Sequence, residues 1–298
     1  MAQIIDSHTH RYPPEVFRNP YVWGIAQKER HWASLVAPTG GKKPSLQGWA
    51  DREQMLEAMD ESGVDRAILL GWYWEQHATC ELQNSWYAQW IKEDPQRFSA
   101  FAAVQPLAGE QQALDTVRWA ADEGFVGIGE MFPRVQGFAM DDLVWLKIVE
   151  FAIERGLAIN IHVTEPVGRD YPAKVATPFA DFQWLAQTYP ELKLILAHWG
   201  GGLLFYELNP SFRQVFKNVY YDTAASPLLY DSRIYCSAVD IVGAKKILFG
   251  SDYPLRLYPH RDRQPCFSGL LREIDRCGLD PKAQECLLGG NVARLLNL

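Results

Sequence analysis

The feature of this sequence that most constrains its fold is a regular alternation between short apolar runs and longer amphipathic stretches. Eight apolar runs of strand length occur, and most are followed by apolar residues at helical spacing. The runs lie within QIIDSHTH, RAILLGW, FSAFAAVQP, FVGIGEM, LAINIHV, LKLILAHWG, NVYYDTA and KKILFGSDYP. Nearly continuous apolar strands that alternate with helices are typical of a parallel sheet covered by helices. Eight of them predict an α/β fold closed as a (β/α)8 TIM barrel.

The stretches between the runs carry the signals of helix ends. DREQMLEAMDESG places Met55 and Met59 on one helical face and ends at Gly63, and DDLVWLKIVEFAIERG begins with acidic residues and ends at Gly156. No shift in composition divides the chain, so we expect a single domain over residues 1–298. The segment 11–48 is rich in Pro, Gly and aromatic residues, and we expect it to form an insertion after the first strand that acts as a lid or pocket wall.

Charge and cysteine content exclude several function classes. The net charge is -7 and no large cluster of Lys and Arg occurs, which argues against nucleic-acid binding. No segment resembles a membrane span or a signal peptide, so we expect no membrane partner and a cytoplasmic location. The five cysteines are scattered and never form a CxxC pair, which argues against both a disulfide framework and a thiolate zinc site.

The first apolar run ends in polar residues at alternate positions. Asp6, His8 and His10 lie on one face of an extended chain, because residues two apart point the same way. Neutral imidazole is a common metal ligand, so two neighbouring histidines favour a metal site. Two surface histidines in an N-terminal turn are the alternative that this stretch alone leaves open.

Four later runs also end in ionisable residues. Glu130 follows the fourth run, His162 the fifth, His198 the sixth and Asp252 the eighth. Each has an ordinary explanation of its own, such as a hydrogen-bonded histidine, a carboxylate paired with Arg134 or a turn cap. Because the active sites of such barrels lie where the strands end, one divalent cation with nitrogen and oxygen ligands explains all of them together.

The sequence resembles the amidohydrolase superfamily, and within it the branch called amidohydrolase family 2, which includes decarboxylases, lactonases and hydratases of small carboxylic acids. The resemblance covers essentially the whole chain. It rests on DSHTH, NIHV, AHWGGG, NVYYDT, FGSDYP and the terminal GGNVARLLNL, in that order. It implies that His8, His10 and Asp252 hold one metal ion, and that His162 and His198 join it or hold a second.

Glu130 decides between one ion and two. GIGEM resembles a branch of the superfamily in which a strand-four glutamate bridges two metals, and an anionic bridge would offset the repulsion between two dications. We therefore expect a binuclear site of divalent ions, with zinc favoured over manganese. If Glu130 instead points at Arg134, one ion is expected.

The binuclear interpretation favours a metal-dependent hydrolase of a small lactone, amide or ester, which uses metal-activated hydroxide. Asp252 is the expected proton-transfer residue, with His198 as its rival. The alternative enzyme is a nonoxidative decarboxylase or hydratase of a small aromatic or unsaturated carboxylic acid. The alternative outside enzymology is an inactive barrel that binds a metal or a ligand.

Residues near the strand ends suggest how a small-molecule substrate is held. Trp72 and Tyr73 follow the second run and are expected in a pocket wall, while Arg134 and Arg256 are placed to clamp an anionic substrate. Asp6 and Asp222 are expected to orient metal ligands or to be buried structural carboxylates. His31 and His260 are expected on the surface. The sequence leaves a homo-oligomer open.

Overall fold

The computed structural model describes residues 3–37, 45–257 and 265–298. Its eight strands form one parallel sheet in which each strand pairs with the next along the chain. The strands are β1 (Ile5–Thr9), β2 (Arg66–Leu70), β3 (Phe98–Ala102), β4 (Gly127–Met131), β5 (Ala158–Ile161), β6 (Lys193–Leu196), β7 (Val219–Asp222) and β8 (Ile247–Leu248). This order confirms the predicted TIM barrel.

Helices connect the strands and surround the sheet. They are α1 (Pro14–Arg18), α2 (Pro20–Gln27), α3 (Arg30–Val36), α4 (Arg52–Ser62), α5 (His77–Glu93), α6 (Glu110–Asp122), α7 (Pro133–Gln136), α8 (Leu143–Arg155), α9 (Phe179–Thr188), α10 (Ala197–Gly200), α11 (Pro210–Val215), α12 (Ser226–Leu229), α13 (Arg233–Val242), α14 (Ser268–Arg276), α15 (Pro281–Glu285) and α16 (Asn291–Leu296). Short 3-10 segments occur at Pro106–Ala108, Leu203–Leu208 and Ala244–Lys246, and a π-helical turn at Cys286–Gly290 precedes α16. None of the helices that the structure describes is long and apolar enough to cross a membrane.

The barrel is closed by backbone hydrogen bonds between β1 and the segment that follows β8. The amide of Ser7 donates to the carbonyl of Phe249 at 2.7 Å, and the amide of Asp252 donates to the carbonyl of His8 at 2.9 Å. Gly250 makes this approach possible, because a Cβ atom at that position would lie 2.7 Å from the Cβ of His8. A larger residue would therefore separate the two chain segments that carry His8 and Asp252.

Helices α4 and α8 begin and end where their sequence signals predict. Helix α4 starts with a capping box between Asp51 and Gln54 and ends at Gly63, whose φ of 71° lies in the left-handed region that favours glycine. Helix α8 ends in the same way at Gly156. Their apolar faces are buried against the sheet, as the helical spacing of the sequence predicted.

The amino-terminal end of the barrel is closed by apolar side chains. Ile5, Ile68, Phe101 and Leu248 belong to one buried cluster, and α16 packs against it through Val292. The polar residues identified from the sequence lie at the other end, where the strands terminate. The barrel therefore separates an apolar stabilising end from a polar functional end.

The insertion after β1 contributes α1, α2 and α3. It is tied to the loop after β2 by Glu29, whose carboxylate accepts hydrogen bonds from the amides of Glu75 (2.7 Å) and Gln76 (3.1 Å). The amide of His31 donates to the carboxylate of Glu75 at 2.7 Å. These bonds hold α3 beside the carboxyl end of β2. Part of the predicted 11–48 lid, residues 38–44, lies outside the described residues, as does His260.

Candidate metal centre

Four ligand atoms converge at the ends of β1, β4 and β8. The Nε2 atoms of His8 and His10 lie 3.1 Å apart. Oδ1 of Asp252 lies 3.7 Å from the first and 3.5 Å from the second. Oε2 of Glu130 lies 3.8 and 3.5 Å from the same two nitrogen atoms. The structure therefore brings together four of the six residues that the sequence nominated as ligands.

The remaining two predicted ligands meet the other oxygen of Glu130. Oε1 of Glu130 lies 2.9 Å from Nδ1 of His162 and 3.3 Å from Nε2 of His198. The two histidine nitrogens are 3.2 Å apart. The two oxygens of one carboxylate thus face two separate histidine pairs, which is an arrangement that can hold either one ion or a bridged pair.

The spacing of these atoms fits a divalent ion. Nitrogen and oxygen ligands lie about 2.0–2.2 Å from zinc, so the corners of a tetrahedron of such ligands are about 3.4 Å apart. The Nε2 atoms of His8 and His10 lie 3.1 Å apart, and Oδ1 of Asp252 and Oε2 of Glu130 each lie 3.5–3.8 Å from these two nitrogen atoms. The donor chemistry also fits, because imidazole and carboxylate together suit zinc and manganese.

Hydrogen bonds behind the ligands orient three of the four imidazoles. Nδ1 of His8 lies 2.8 Å from Oδ2 of Asp222, Nδ1 of His10 lies 3.1 Å from the carbonyl of Leu70, and Nδ1 of His198 lies 3.1 Å from the carbonyl of Ala224. A carbonyl or carboxylate oxygen can only accept, so each Nδ1 carries a hydrogen and each Nε2 is directed at the centre. This accounts for the expectation that Asp222 orients a ligand.

Glu130 does not turn toward Arg134. Its side chain is buried among histidines, whereas the side chain of Arg134 is 55 % exposed and lies 3.8 Å from Asp181. Burial raises the pKa of Glu130, but the charges of His162 and His8 and hydrogen bonds with His10 and His162 outweigh it and hold the pKa well below its usual range. The carboxylate is therefore available as an anionic ligand.

Asp6 binds the backbone of the two chain segments that carry His8 and Asp252. Its Oδ1 accepts hydrogen bonds from the amides of His8 (3.0 Å) and Ser251 (3.1 Å). Burial raises its pKa to about 7 despite those hydrogen bonds. Asp6 thus fastens the end of β1 to the residue that precedes Asp252, which is a positioning role for the two segments that carry ligands.

Two of the converging residues adopt unusual backbone conformations. His198 has a φ of 57° and Asp252 a φ of 66°, in the left-handed region that residues other than glycine seldom occupy. Such conformations cost free energy, and they concentrate at functional sites where the surroundings enforce them. The fold therefore directs the side chains of His198 and Asp252 toward the centre, and the strained backbone lowers the stability of the protein.

Aromatic rings cover the centre. The ring of Trp72 lies 4.9 Å from that of His10, and the ring of Phe132 stacks on His162 at 4.3 Å. Tyr73 packs against Trp72 at 4.2 Å and lies 5.6 Å from His162. Trp72 and Tyr73 thus lie beside the predicted ligands His10 and His162, and their role in a pocket wall stays a prediction. Phe132 was missed, although its position two residues after Glu130 was a signal that could have identified it.

The two arginines nominated for substrate binding make other contacts in this structure, and their role in substrate binding stays a prediction. Arg134 lines an outer cavity of about 560 Å³ together with Asp181 and Trp184, and the ligand candidates do not line that cavity. Arg256 donates its backbone amide to the carbonyl of Leu46 at 3.0 Å and its guanidinium to the carbonyl of Ser45. Its contacts therefore tie the segment after β8 to the end of the insertion.

His31, which the sequence placed on the surface, is half-buried and packs against aromatic rings. Its ring lies 5.5 Å from Tyr73 and 5.8 Å from Phe132, and its Nε2 donates to the carbonyl of Ala173 at 2.8 Å. The residue belongs to α3, within the insertion that returns over the carboxyl end of the barrel. Sequence reasoning missed it because no strand leads into it, so nothing in the local pattern reported its tertiary position.

Comparison with known proteins is consistent with this geometry. A family model described as Amidohydrolase matches residues 5–298. A 2-amino-3-carboxymuconate-6-semialdehyde decarboxylase from Dictyostelium discoideum is 26 % identical over an alignment of 341 residues, which covers 99 % of this chain and 91 % of the relative.

Solved structures share the architecture over their full length. The 5-carboxyvanillate decarboxylase of Sphingomonas paucimobilis superposes with a TM-score of 0.76 at 18 % identity and covers 100 % of both chains. A dihydroxybenzoic acid decarboxylase from Polaromonas, solved with bound manganese and the inhibitor 2-nitroresorcinol, gives a TM-score of 0.70 at 17 % identity and covers 100 % of this chain and 98 % of its own. At these identities the likeness establishes the fold alone.

Proposed function

The chain belongs to the amidohydrolase family, and from that premise we propose that it is a metal-dependent, nonoxidative decarboxylase of a small aromatic or unsaturated carboxylic acid. The observation that carries the proposal is the convergence of His8, His10, Glu130 and Asp252 directly beneath the aromatic wall. Flat rings above a cation site suit a flat anionic substrate. The relatives named above are decarboxylases, which supports this reaction over the hydrolysis expected from the sequence.

The ligand residues would hold one divalent ion through His8, His10, Asp252 and either Glu130 or His162. When bound, such an ion acts as a Lewis acid that draws electron density from an oxygen of the substrate. Manganese is supported by the Polaromonas relative, and zinc by the imidazole-rich donor set. Metal analysis of the purified protein decides between the two metals.

The protein's own residues would bind the substrate and move one proton. In the reaction, the bond between the substrate carbon and its carboxyl carbon breaks, carbon dioxide leaves, and the electron pair left on the carbon accepts a proton. Asp252 would take a proton from solvent and deliver it to that carbon, because its carboxylate has a second oxygen besides the Oδ1 that lies near His8 and His10. His198 is the rival donor, since its Nδ1 is held by Ala224 and its Nε2 is directed at the centre.

We also propose that Glu130 allows a second ion. Its Oε1 faces His162 and His198 at 2.9 and 3.3 Å, while its Oε2 faces His8 and His10. A bridging carboxylate would lower the electrostatic repulsion between two dications at this spacing. Hydrolysis of a lactone, amide or ester is the second candidate function, and this divided carboxylate is the observation that favours it.

The insertion would serve as the outer wall of the pocket. Helix α3 is fastened to the loop after β2 by the bonds of Glu29 and His31, and this loop follows directly on Trp72 and Tyr73. An ordered wall at this place would exclude water from the reacting carbon, which must be protonated in a controlled direction.

The test is a direct comparison of reaction classes with the manganese-loaded and the zinc-loaded protein. Aromatic acids, including 2,6-dihydroxybenzoate and 5-carboxyvanillate, are assayed for release of carbon dioxide, and a panel of lactones and amides is assayed for hydrolysis. Carbon dioxide release from an acid, with no hydrolysis, supports the proposal. Hydrolysis alone would replace it with the second candidate. If the protein retains no divalent ion on native purification and is activated by neither metal, it is a binding protein rather than an enzyme.

A further inference from the structure

We infer that Nδ1 of His31 is a hydrogen-bond acceptor for the bound substrate, so that the pocket selects a ligand that carries an O–H or N–H donor on its ring. The inference rests on the proposed function in one respect only, namely that the ligand is an aromatic acid. It names a residue that lies outside the converging ligands and outside every motif that relates this chain to its family.

Two hydrogen bonds hold His31 in place, one through its backbone and one through its ring. Its backbone amide donates to the carboxylate of Glu75 at 2.7 Å, and its Nε2 lies 2.8 Å from the carbonyl of Ala173. Glu75 lies in the loop after β2 and Ala173 in the loop after β5, so the residue joins two loops at the carboxyl end of the barrel. The side chain is therefore fixed by the fold before any ligand binds.

The bond to Ala173 determines which ring nitrogen carries hydrogen. A carbonyl oxygen only accepts, so Nε2 must be the donor. Burial lowers the pKa of His31 to about 4, partly offset by the bond to Ala173, so the ring is neutral at neutral pH. Nδ1 is then a lone-pair acceptor and cannot donate.

That acceptor is buried and has no hydrogen-bond partner among the residues that the structure describes. A buried polar atom without a partner costs free energy, and a partner supplied from outside recovers it. The ring lies beside Tyr73 and Phe132, and both of these rings contact His162. The ring of His31 thus belongs to the aromatic wall beside the metal centre, where a flat substrate would lie.

The chemistry of Nδ1 specifies what it recognises. A neutral acceptor gains from a phenolic hydroxyl or an amino group, and gains nothing from a fluorine or a hydrogen at the same ring position. A site built around a buried acceptor rejects the analogue that lacks the donor, because the acceptor is then left unpaired. His31 would therefore set specificity without taking part in bond cleavage.

The test compares binding of matched probes to the manganese-loaded protein by calorimetry, without turnover. The probes are the three monohydroxybenzoate isomers and the corresponding fluorobenzoates, which are similar in shape but cannot donate. We expect the wild type to bind at least one hydroxybenzoate about 3–10 times more tightly than its fluoro counterpart. In His31→Phe, which keeps a ring in the wall, that preference is lost while the Kd of the fluorobenzoate is unchanged within about twofold.

His77→Phe is the matched control. His77 also has a buried Nδ1 without a hydrogen-bond partner in the described part of the chain, but its Nε2 pairs with Glu81 at 3.4 Å at the start of α5. The control should retain the wild-type preference. The inference is overturned if His31→Phe keeps the preference, if it weakens both probe types equally, or if the wild type binds none of the probes. The binding test measures no reaction, so its result for His31 does not depend on catalysis. A protein that binds the probes but releases no carbon dioxide in the activity assay contradicts the proposed function only.

Discussion

Asp222 accepts a hydrogen bond from Nδ1 of His8 at 2.8 Å, and this contact determines that Nε2 of His8 faces the metal centre. The same carboxylate also accepts from the side-chain amide of Asn160 and from the backbone amide of His198. One buried aspartate on β7 therefore connects β1, β5 and β6, the strands that lead to four of the predicted ligands.

The first prediction concerns this support. Asp222→Asn places an N–H group where His8 requires an acceptor, so we expect metal affinity to fall about 10–100-fold. Competition with a chelator measures the dissociation constant. Asp181→Asn, at the partly exposed carboxylate near Arg134, is the control and should leave the affinity unchanged. Equal affinities for Asp222→Asn and wild type would show that His8 is oriented by other contacts.

The second prediction concerns the number of ions. If Glu130 bridges two metals, the wild type binds about two divalent ions per chain and Glu130→Gln binds about one, because the neutral amide cannot offset the repulsion between dications. Elemental analysis of protein dialysed against buffered manganese or zinc gives the stoichiometry. A value near one in both proteins would remove the bridging role and leave a mononuclear centre.

The sequence predicted the barrel and the metal centre because both depend on local patterns. Apolar runs repeat with the strands, and ligand candidates such as His162 and His198 follow those runs directly. The positions of Arg134 and His31 could not be predicted in this way, because each lies on a helix or loop whose direction depends on tertiary packing. Arg134 follows β4 closely in the sequence, but its side chain points outward toward Asp181. His31 is far from every strand in the sequence, yet its ring packs beside Tyr73.

The third prediction concerns pH. Burial raises the pKa of Glu29 to about 7, although hydrogen bonds from Thr79 and the amides of Glu75 and Gln76 act in the opposite direction. A folded-state pKa above the usual value of 4.5 means that the native protein binds a proton more tightly than the unfolded chain does. The contribution of Glu29 to stability is therefore complete below about pH 4.5 and is lost as the pH rises through about 7.

Glu29→Gln stays neutral at every pH, so its free energy of unfolding should not change with pH through this group. In the wild type, this contribution amounts to about 3 kcal/mol in total over the pH range in which it is lost. Urea unfolding between about pH 5 and about pH 8 measures the difference between variant and wild type. Glu57→Gln, on the exposed face of α4, should follow the wild-type curve. A Glu29→Gln curve parallel to that of the wild type would contradict a raised pKa.

The fourth prediction concerns the closure of the barrel. A methyl group at position 250 would lie 2.7 Å from the Cβ of His8, so Gly250→Ala must push the segment after β8 away from β1. We expect a loss of about 1–3 kcal/mol in the free energy of unfolding, as overpacking of a core produces. Metal affinity should fall as well, because His8 and Asp252 lie on the two separated segments. If Gly250→Ala is destabilised but binds the metal as tightly as the wild type, then metal binding does not depend on the close approach of the segments that carry His8 and Asp252.

The last prediction separates the two candidate proton donors. Asp252 and His198 both reach the centre, and both are held in left-handed backbone conformations that aim their side chains inward. Proton transfer by a positioned group contributes about 100-fold to 10,000-fold to a rate. If Asp252 delivers the proton to the substrate carbon, Asp252→Asn should lower kcat by that factor, because the amide cannot carry a transferable proton.

Asp252 is also a proposed ligand, so the variant must first be shown to retain its metal. With metal content equal to that of the wild type, the second readout is the solvent isotope effect on kcat, which reports whether proton transfer limits the rate. A low kcat in Asp252→Asn, together with a milder loss in His198→Asn, assigns the proton to Asp252. If Asp252→Asn keeps its metal and a kcat near that of the wild type, while His198→Asn is inactive, the proton comes from His198. Nδ1 of His198 donates to the carbonyl of Ala224, so only its Nε2 can carry the transferred proton.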